Sequence, residues 1–148
     1  MLIFVLLFGC AENLEKSACD AVDGDIHILT ASAESGLQEP AAQFHVHLHS
    51  HTVEIADNKW IWVSGTGQRA AIYTDATISS VQLDGEEQTV PSPKENETCS
   101  ESLTNVYELT LTEGIWDFQV ADSGNFNWIA APTEDDHADH DHDHDHDH

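Results

Sequence analysis

No stretch of the chain holds a convincing apolar helical period for three turns. Short runs rich in Val, Ile, Thr, Trp and Tyr recur instead, each closed by turn residues. β-branched and aromatic side chains pack well on a pleated surface, and Gly, Asn and Asp supply the bends between strands. Such runs can be read at residues 26–31, 43–55, 59–64, 69–74, 79–83, 104–111, 115–120 and 125–130. Asp84-Gly85 and Glu113-Gly114 have the composition of tight hairpin turns, and Asp122-Ser123-Gly124-Asn125 that of a longer one. Residues 91–102, PSPKENETCSES, carry no apolar periodicity and read as a loop. The expected fold is all-β, a two-sheet β-sandwich of about 7–8 strands. Its last three strands read as a meander, with Val106, Trp116, Phe118, Val120, Phe126 and Trp128 as core candidates.

A chain of 148 residues suits one modest domain. Its 28 acidic residues against four basic ones leave a formal charge of −24. A surface this anionic repels nucleic acid and anionic lipid headgroups, and it attracts divalent cations. Nucleic acid is therefore excluded as a partner.

The opening residues, MLIFVLLFGC, form an apolar run too short to span a bilayer and shaped like a signal-peptide core. Leu7-Phe8-Gly9-Cys10 resembles the lipobox of bacterial lipoproteins, where a small residue precedes the cysteine that is lipidated. No Lys or Arg precedes the run, and Phe8 is bulky for its place. An ordinary cleaved signal or a buried N-terminal strand is the alternative. The resemblance implies a signal peptide over residues 1–9, lipidation at Cys10 and a polar tether over 10–18. The domain then occupies 19–132. With Cys10 lipidated, Cys19 and Cys99 remain as a pair, and in an exported protein an even remainder reads as a disulfide. A thiolate metal site would want closer spacing, such as C-x-x-C.

The chemistry is concentrated in histidine. Residues 44–51 read FHVHLHSH, with His45, His47, His49 and His51 at alternate positions. On one strand all of them would project from one face, with neighbours about 6.5–7 Å apart, close enough for i, i+2 pairs to chelate an ion. The full row spans roughly 20 Å, too long to close on a single zinc. Imidazole suits zinc, copper and nickel, whereas calcium and magnesium want oxygen. Val53 and Ile55 share the histidine parity, so a bulge or bend near residues 50–52 is expected, with His51 at the kink. His27, between Ile26 and Ile28, reads as a plain strand residue. His47, His49 and Glu54 form an H-x-H-x4-E spacing that resembles the first metal motif of cupins. The flanking glycines of that motif are replaced by Ala41 and Ile61, and no second motif follows in the folded region. Serine-nucleophile, phosphate-loop and paired-cysteine redox signatures are likewise missing, so an enzyme is not expected.

Residues 133–148 hold nothing more apolar than Ala138, and Asp alternates with His to the end, placing His137, His140, His142, His144, His146 and His148 among carboxylates. So polar a segment cannot offset its ordering entropy by burial and is expected to be disordered without a ligand. It resembles the acidic, His-rich segments of zinc-uptake binding proteins and nickel-handling chaperones. The layout as a whole, with NVYELTLTEGIWDFQVADS after a Cys-containing loop, is similar to small secreted bacterial lipoproteins of no assigned activity.

These readings converge on a lipid-anchored protein of the cell envelope, periplasmic or surface-exposed, that binds or buffers divalent transition-metal ions. Zinc is the expected ion, with copper and nickel as alternatives. His45, His47 and His49 form the ordered site, His51 or Glu54 supplies extra ligands, and the tail histidines form a reservoir. The alternative is a cell-envelope interaction or structural module that meets a partner through its loops or through Trp60 or Trp62, with the tail peripheral. No protein partner can be named.

Overall fold

The computed structural model describes residues 9–24, 26–32, 34–36, 42–47, 50–54, 60–121 and 124–133. In chain order the elements are α1 (Gly9–Val22), β1 (Ile26–Thr30), β2 (Gln43–Phe44), β3 (Ser50–Glu54) and β4 (Trp60–Gly65). They continue with β5 (Gln68–Thr74), β6 (Ile78–Leu83), β7 (Glu86–Gln88) and β8 (Lys94–Glu95). The last are β9 (Asn105–Leu111), β10 (Gly114–Val120) and β11 (Phe126–Pro132). Two sheets pack face to face, one ordered β1-β3-β11-β5-β9-β8 and the other β2-β4-β10-β6-β7. The all-β sandwich is thus present, with the run at 43–55 split in two and the short β7 and β8 added.

Between the sheets lies an aromatic centre built on Trp128. Phe44 stacks on it at 5.0 Å, and Phe118 and Phe126 meet it edge-on at 5.8 and 6.2 Å. Val53, Ile61, Ile72, Val81, Tyr107 and Leu111 complete this core. Each large apolar side chain removed from water contributes roughly 1.5–3 kcal/mol. All six core candidates read from the last three strands are buried.

Those three strands do not form a meander. β9 pairs with β5 in the six-stranded sheet, β10 pairs with β4 and β6 in the other, and β11 returns to pair with β3 and β5. The Glu113-Gly114 corner is therefore a crossing between sheets. Gly114 sits at φ 136°, and Trp116 Nε1 donates to the Thr112 carbonyl at 2.9 Å. A Cβ at Gly65 would collide with that same Thr112 carbonyl oxygen, so glycine there lets the corner close. Asp84-Gly85, by contrast, is the hairpin its composition suggests. Both residues have positive φ, 50° and 86°, and Leu83 pairs with Glu86 across a two-residue turn.

Residues 10–18, read as a tether, belong to α1. Leu14, Ala18, Ala21 and Val22 lie on one side of the helix and pack against Ala71, Tyr73, Val106, Ile129 and Ala131 on the outer face of the six-stranded sheet. This stripe covers only two turns. Tertiary contacts supply the rest: Cys19 is bonded to Cys99, and the Glu15 carboxylate accepts from the Glu97 and Thr98 N–H groups at 2.9 and 3.0 Å. Under the helix, burial, with Glu15 and Glu108 nearby, pushes the Tyr73 phenol up to about 12. The loop that carries Cys99 is organised by buried Asn96, whose Oδ1 accepts from the Thr98 and Cys99 N–H groups. Among the described residues, no helix is long and apolar enough to cross a membrane. A disulfide of this kind persists in an oxidising compartment outside the cytoplasm.

Candidate metal centre

The histidine row falls where the chain changes sheets. β2 lies parallel to β4 at the edge of the five-stranded sheet, with Phe44 opposite Val63. β3 lies in the six-stranded sheet, parallel to β1 and antiparallel to β11. The expectation of one strand over 43–55, with four histidines on one face, is thereby corrected. Phe44 and Val53 both have to reach the core, but from opposite sheets, so the chain leaves strand geometry after Phe44. The change of direction comes before Ser50, and 50–54 is an ordinary strand, so no bulge is needed there to bring Val53 inside.

Within the crossing, the His47 N–H donates to the His45 carbonyl at 3.1 Å, closing a tight turn over Val46. Val46 packs against the core, and the turn brings the His45 and His47 rings to 5.7 Å between centroids with a 42° tilt. His45 is exposed and His47 half-buried. Two imidazoles on one tetrahedral zinc, with bonds of about 2.0–2.1 Å, have ring centres about 5–6 Å apart. The pair therefore has the spacing of a chelate.

His51 goes elsewhere. It is buried in β3 at 6% exposure, with its ring edge-on to Phe44 at 5.3 Å. Its cross-strand partner in the parallel register is His27 of β1, and the two rings lie 5.7 Å apart at 41°. Sequence reasoning missed His27 because nothing local distinguishes it; only the pairing of residues 26–30 with 50–54 brings it beside His51. His49 and the tail histidines His137, His140, His142, His144, His146 and His148 lie outside the described residues, as does the side chain of Glu54. Cys10 is the second residue of α1.

Among the described residues, no group of three or more His, Cys, Asp and Glu side chains converges to hold a metal ion. Lys16 is paired with Asp20 and Lys94 with Glu108, both at 2.8 Å or less. Among the described residues, one carboxylate is buried. Asp117 of β10 lies opposite Trp62, and burial pushes its carboxyl above the usual range. The Gly36 N–H, donating at 3.2 Å, pulls it back down, and Asp84 pushes it up again. An open groove of about 360 Å³ is lined by Arg69, Ala70, Glu108, Leu109, Thr110 and Thr133, with no histidine on its walls.

The chain matches no family model and no curated protein. Among solved structures it is similar to a β-glucosidase from Paenibacillus barengoltzii, at 16% identity and a TM-score of 0.31. The match covers 72% of this chain and 13% of the other, and so weak a likeness carries no argument about activity.

Proposed function

We propose that this protein is an extracytoplasmic lipoprotein that binds or buffers transition-metal ions, with zinc as its main ion and copper and nickel as competitors for the same nitrogens. The observation that carries the reading is the His45–His47 pair: two imidazoles at chelating distance on an accessible turn of a strongly anionic protein. The Cys19–Cys99 disulfide supports a place outside the cytoplasm. Lipidation at Cys10 would put the acyl chain at the start of α1 and hold the sandwich at the membrane surface. The six tail histidines, interleaved with aspartates, would gather ions at lower affinity, because a flexible chain must order itself to bind. The rival reading, a cell-envelope interaction or structural module, would meet its partner through its loops or through half-buried Trp60, since Trp62 is buried.

The test is zinc titration by calorimetry at about pH 7.5 and about pH 5.5, which bracket the ordinary histidine range. The variants are His45→Ala/His47→Ala and a chain with all six tail histidines changed to Asn. The tail variant should keep the His45–His47 site at the higher pH, and that site should weaken at least about tenfold at the lower pH, where protons compete for the nitrogens. The double variant should lose it. Zinc binding that vanishes with the tail histidines alone would reduce the domain to a scaffold.

A further inference from the structure

The structure assigns a second ordered metal site, formed by His27 and His51, which needs neither the His45–His47 pair nor the tail and so goes beyond the function proposed above. β1 and β2 are edge strands of the two sheets, and the crossing from β2 to β3 links the sheets beside them. His51 points inward there, its ring against Phe44 of the opposite sheet, and His27 stands next to it on the outermost strand. The ring spacing of 5.7 Å matches that of the His45–His47 pair, within the range for two imidazoles on one zinc. Access comes through His27, which is exposed, while His51 is held in place by Phe44 and by Trp128, its partner on β11. Such a site would take a borderline divalent ion, zinc or copper(II), with water completing its coordination.

An inward-facing polar residue on an edge strand also discourages edge-to-edge association. That role asks for one histidine at position 27 and leaves its match with a second imidazole in exact register unexplained. Ile28, on the other face of β1, is 67% exposed, so it gains little from apolar burial. A metal bridge from His27 to His51 would tie this edge strand to the sheet.

The two pairs differ in what they do to folding. His45 and His47 are two residues apart, so an unfolded chain can still bring them together, and so can the tail. His27 and His51 meet only when β1 pairs with β3. An ion held there binds the folded state selectively and raises its melting temperature. The experiment is thermal unfolding of the full chain at about pH 7.5, metal-free and with zinc chloride, for the wild type, His27→Ala and His45→Ala/His47→Ala. His27 is exposed, so the metal-free His27→Ala protein should melt within about 2 °C of the wild type. Zinc should raise the wild-type melting temperature by about 5–10 °C, and His45→Ala/His47→Ala should keep that rise. His27→Ala should lose most of it, and His27→Gln should behave the same way. As a second readout, the imidazole nitrogens of His27 and His51 should shift together in the NMR spectrum as zinc is added, even in the double variant. A wild type that zinc does not stabilise, or a rise unchanged by His27→Ala, overturns the assignment. Failure of this test with intact calorimetric binding at His45–His47 leaves the proposed function standing, and the reverse result separates the two equally well.

Discussion

The two histidine pairs have almost the same ring geometry, 5.7 Å with tilts of 42° and 41°, yet they are made in opposite ways. His45 and His47 are set by one turn, closed by a hydrogen bond between the same two residues. His27 and His51 are set by parallel strand pairing, so they exist only in the folded sandwich. Similar local chemistry can therefore be independent of folding in one place and bound to it in another. The same division runs through the molecule, between features that short segments make alone and features that need distant strands.

The strongest way to break the long-range class is to remove the disulfide, which joins positions 80 residues apart. Cys19→Ala/Cys99→Ala should cost about 3–5 kcal/mol in denaturant unfolding, about 1–2 kcal/mol more than loss of a tie closing a loop of about 15 residues. Two glycines offer the next contrast. Gly65→Ala forces a clash with the Thr112 carbonyl in the corner between β9 and β10 and should cost about 2–4 kcal/mol. Gly85→Ala strains only its own hairpin, where φ is 86°, and should cost about 1 kcal/mol. Equal losses at the two glycines would erase the distinction. The histidines repeat it on a smaller scale. His51→Ala empties a buried position against Phe44 and should cost about 2 kcal/mol, while His47→Ala should stay within about 0.5 kcal/mol.

The smallest effect concerns Asp117, which meets Gly36 from 81 residues away. Its folded carboxyl titrates above the usual range, chiefly through burial. The folded state thus holds that proton more tightly than the unfolded chain does. The stability linked to the neutral form is complete below the unfolded carboxylate range and is lost as pH rises through the folded value. Asp117→Asn should raise the melting temperature at pH 7, by less than about 1 kcal/mol in stability, and give no gain near pH 3. A gain of equal size at both pH values would mean that the effect is packing and not ionisation.

Much of the sandwich was legible before any coordinates. Strand runs, the Asp84-Gly85 hairpin and the cysteine pair each rest on short-range signals: side-chain shape, turn backbone and compartment chemistry. Five of the six core candidates were legible too, because alternation along a strand marks its inward face; Val106 lies on the outer face and is buried there by α1. The helix α1 was not, since its apolar stripe of Leu14, Ala18, Ala21 and Val22 is too short to signal a helix without the sheet it covers. Nor was the break in the histidine row. Alternation gives parity within one strand, and it says nothing about a chain that leaves one sheet and enters the other between Phe44 and Ser50.

The sequence by itself determined the class of fold and the stock of ligands, which depend on residue types and near neighbours, and the covalent tie, which follows from the number of cysteines left to pair. Tertiary structure alone decided which strands share a sheet, that Glu113-Gly114 is a corner and not a hairpin, and that His27 faces His51. Those outcomes depend on which distant segments bury each other best. Strand pairing across a long loop is selected by the whole core, and no local window of the chain contains that information.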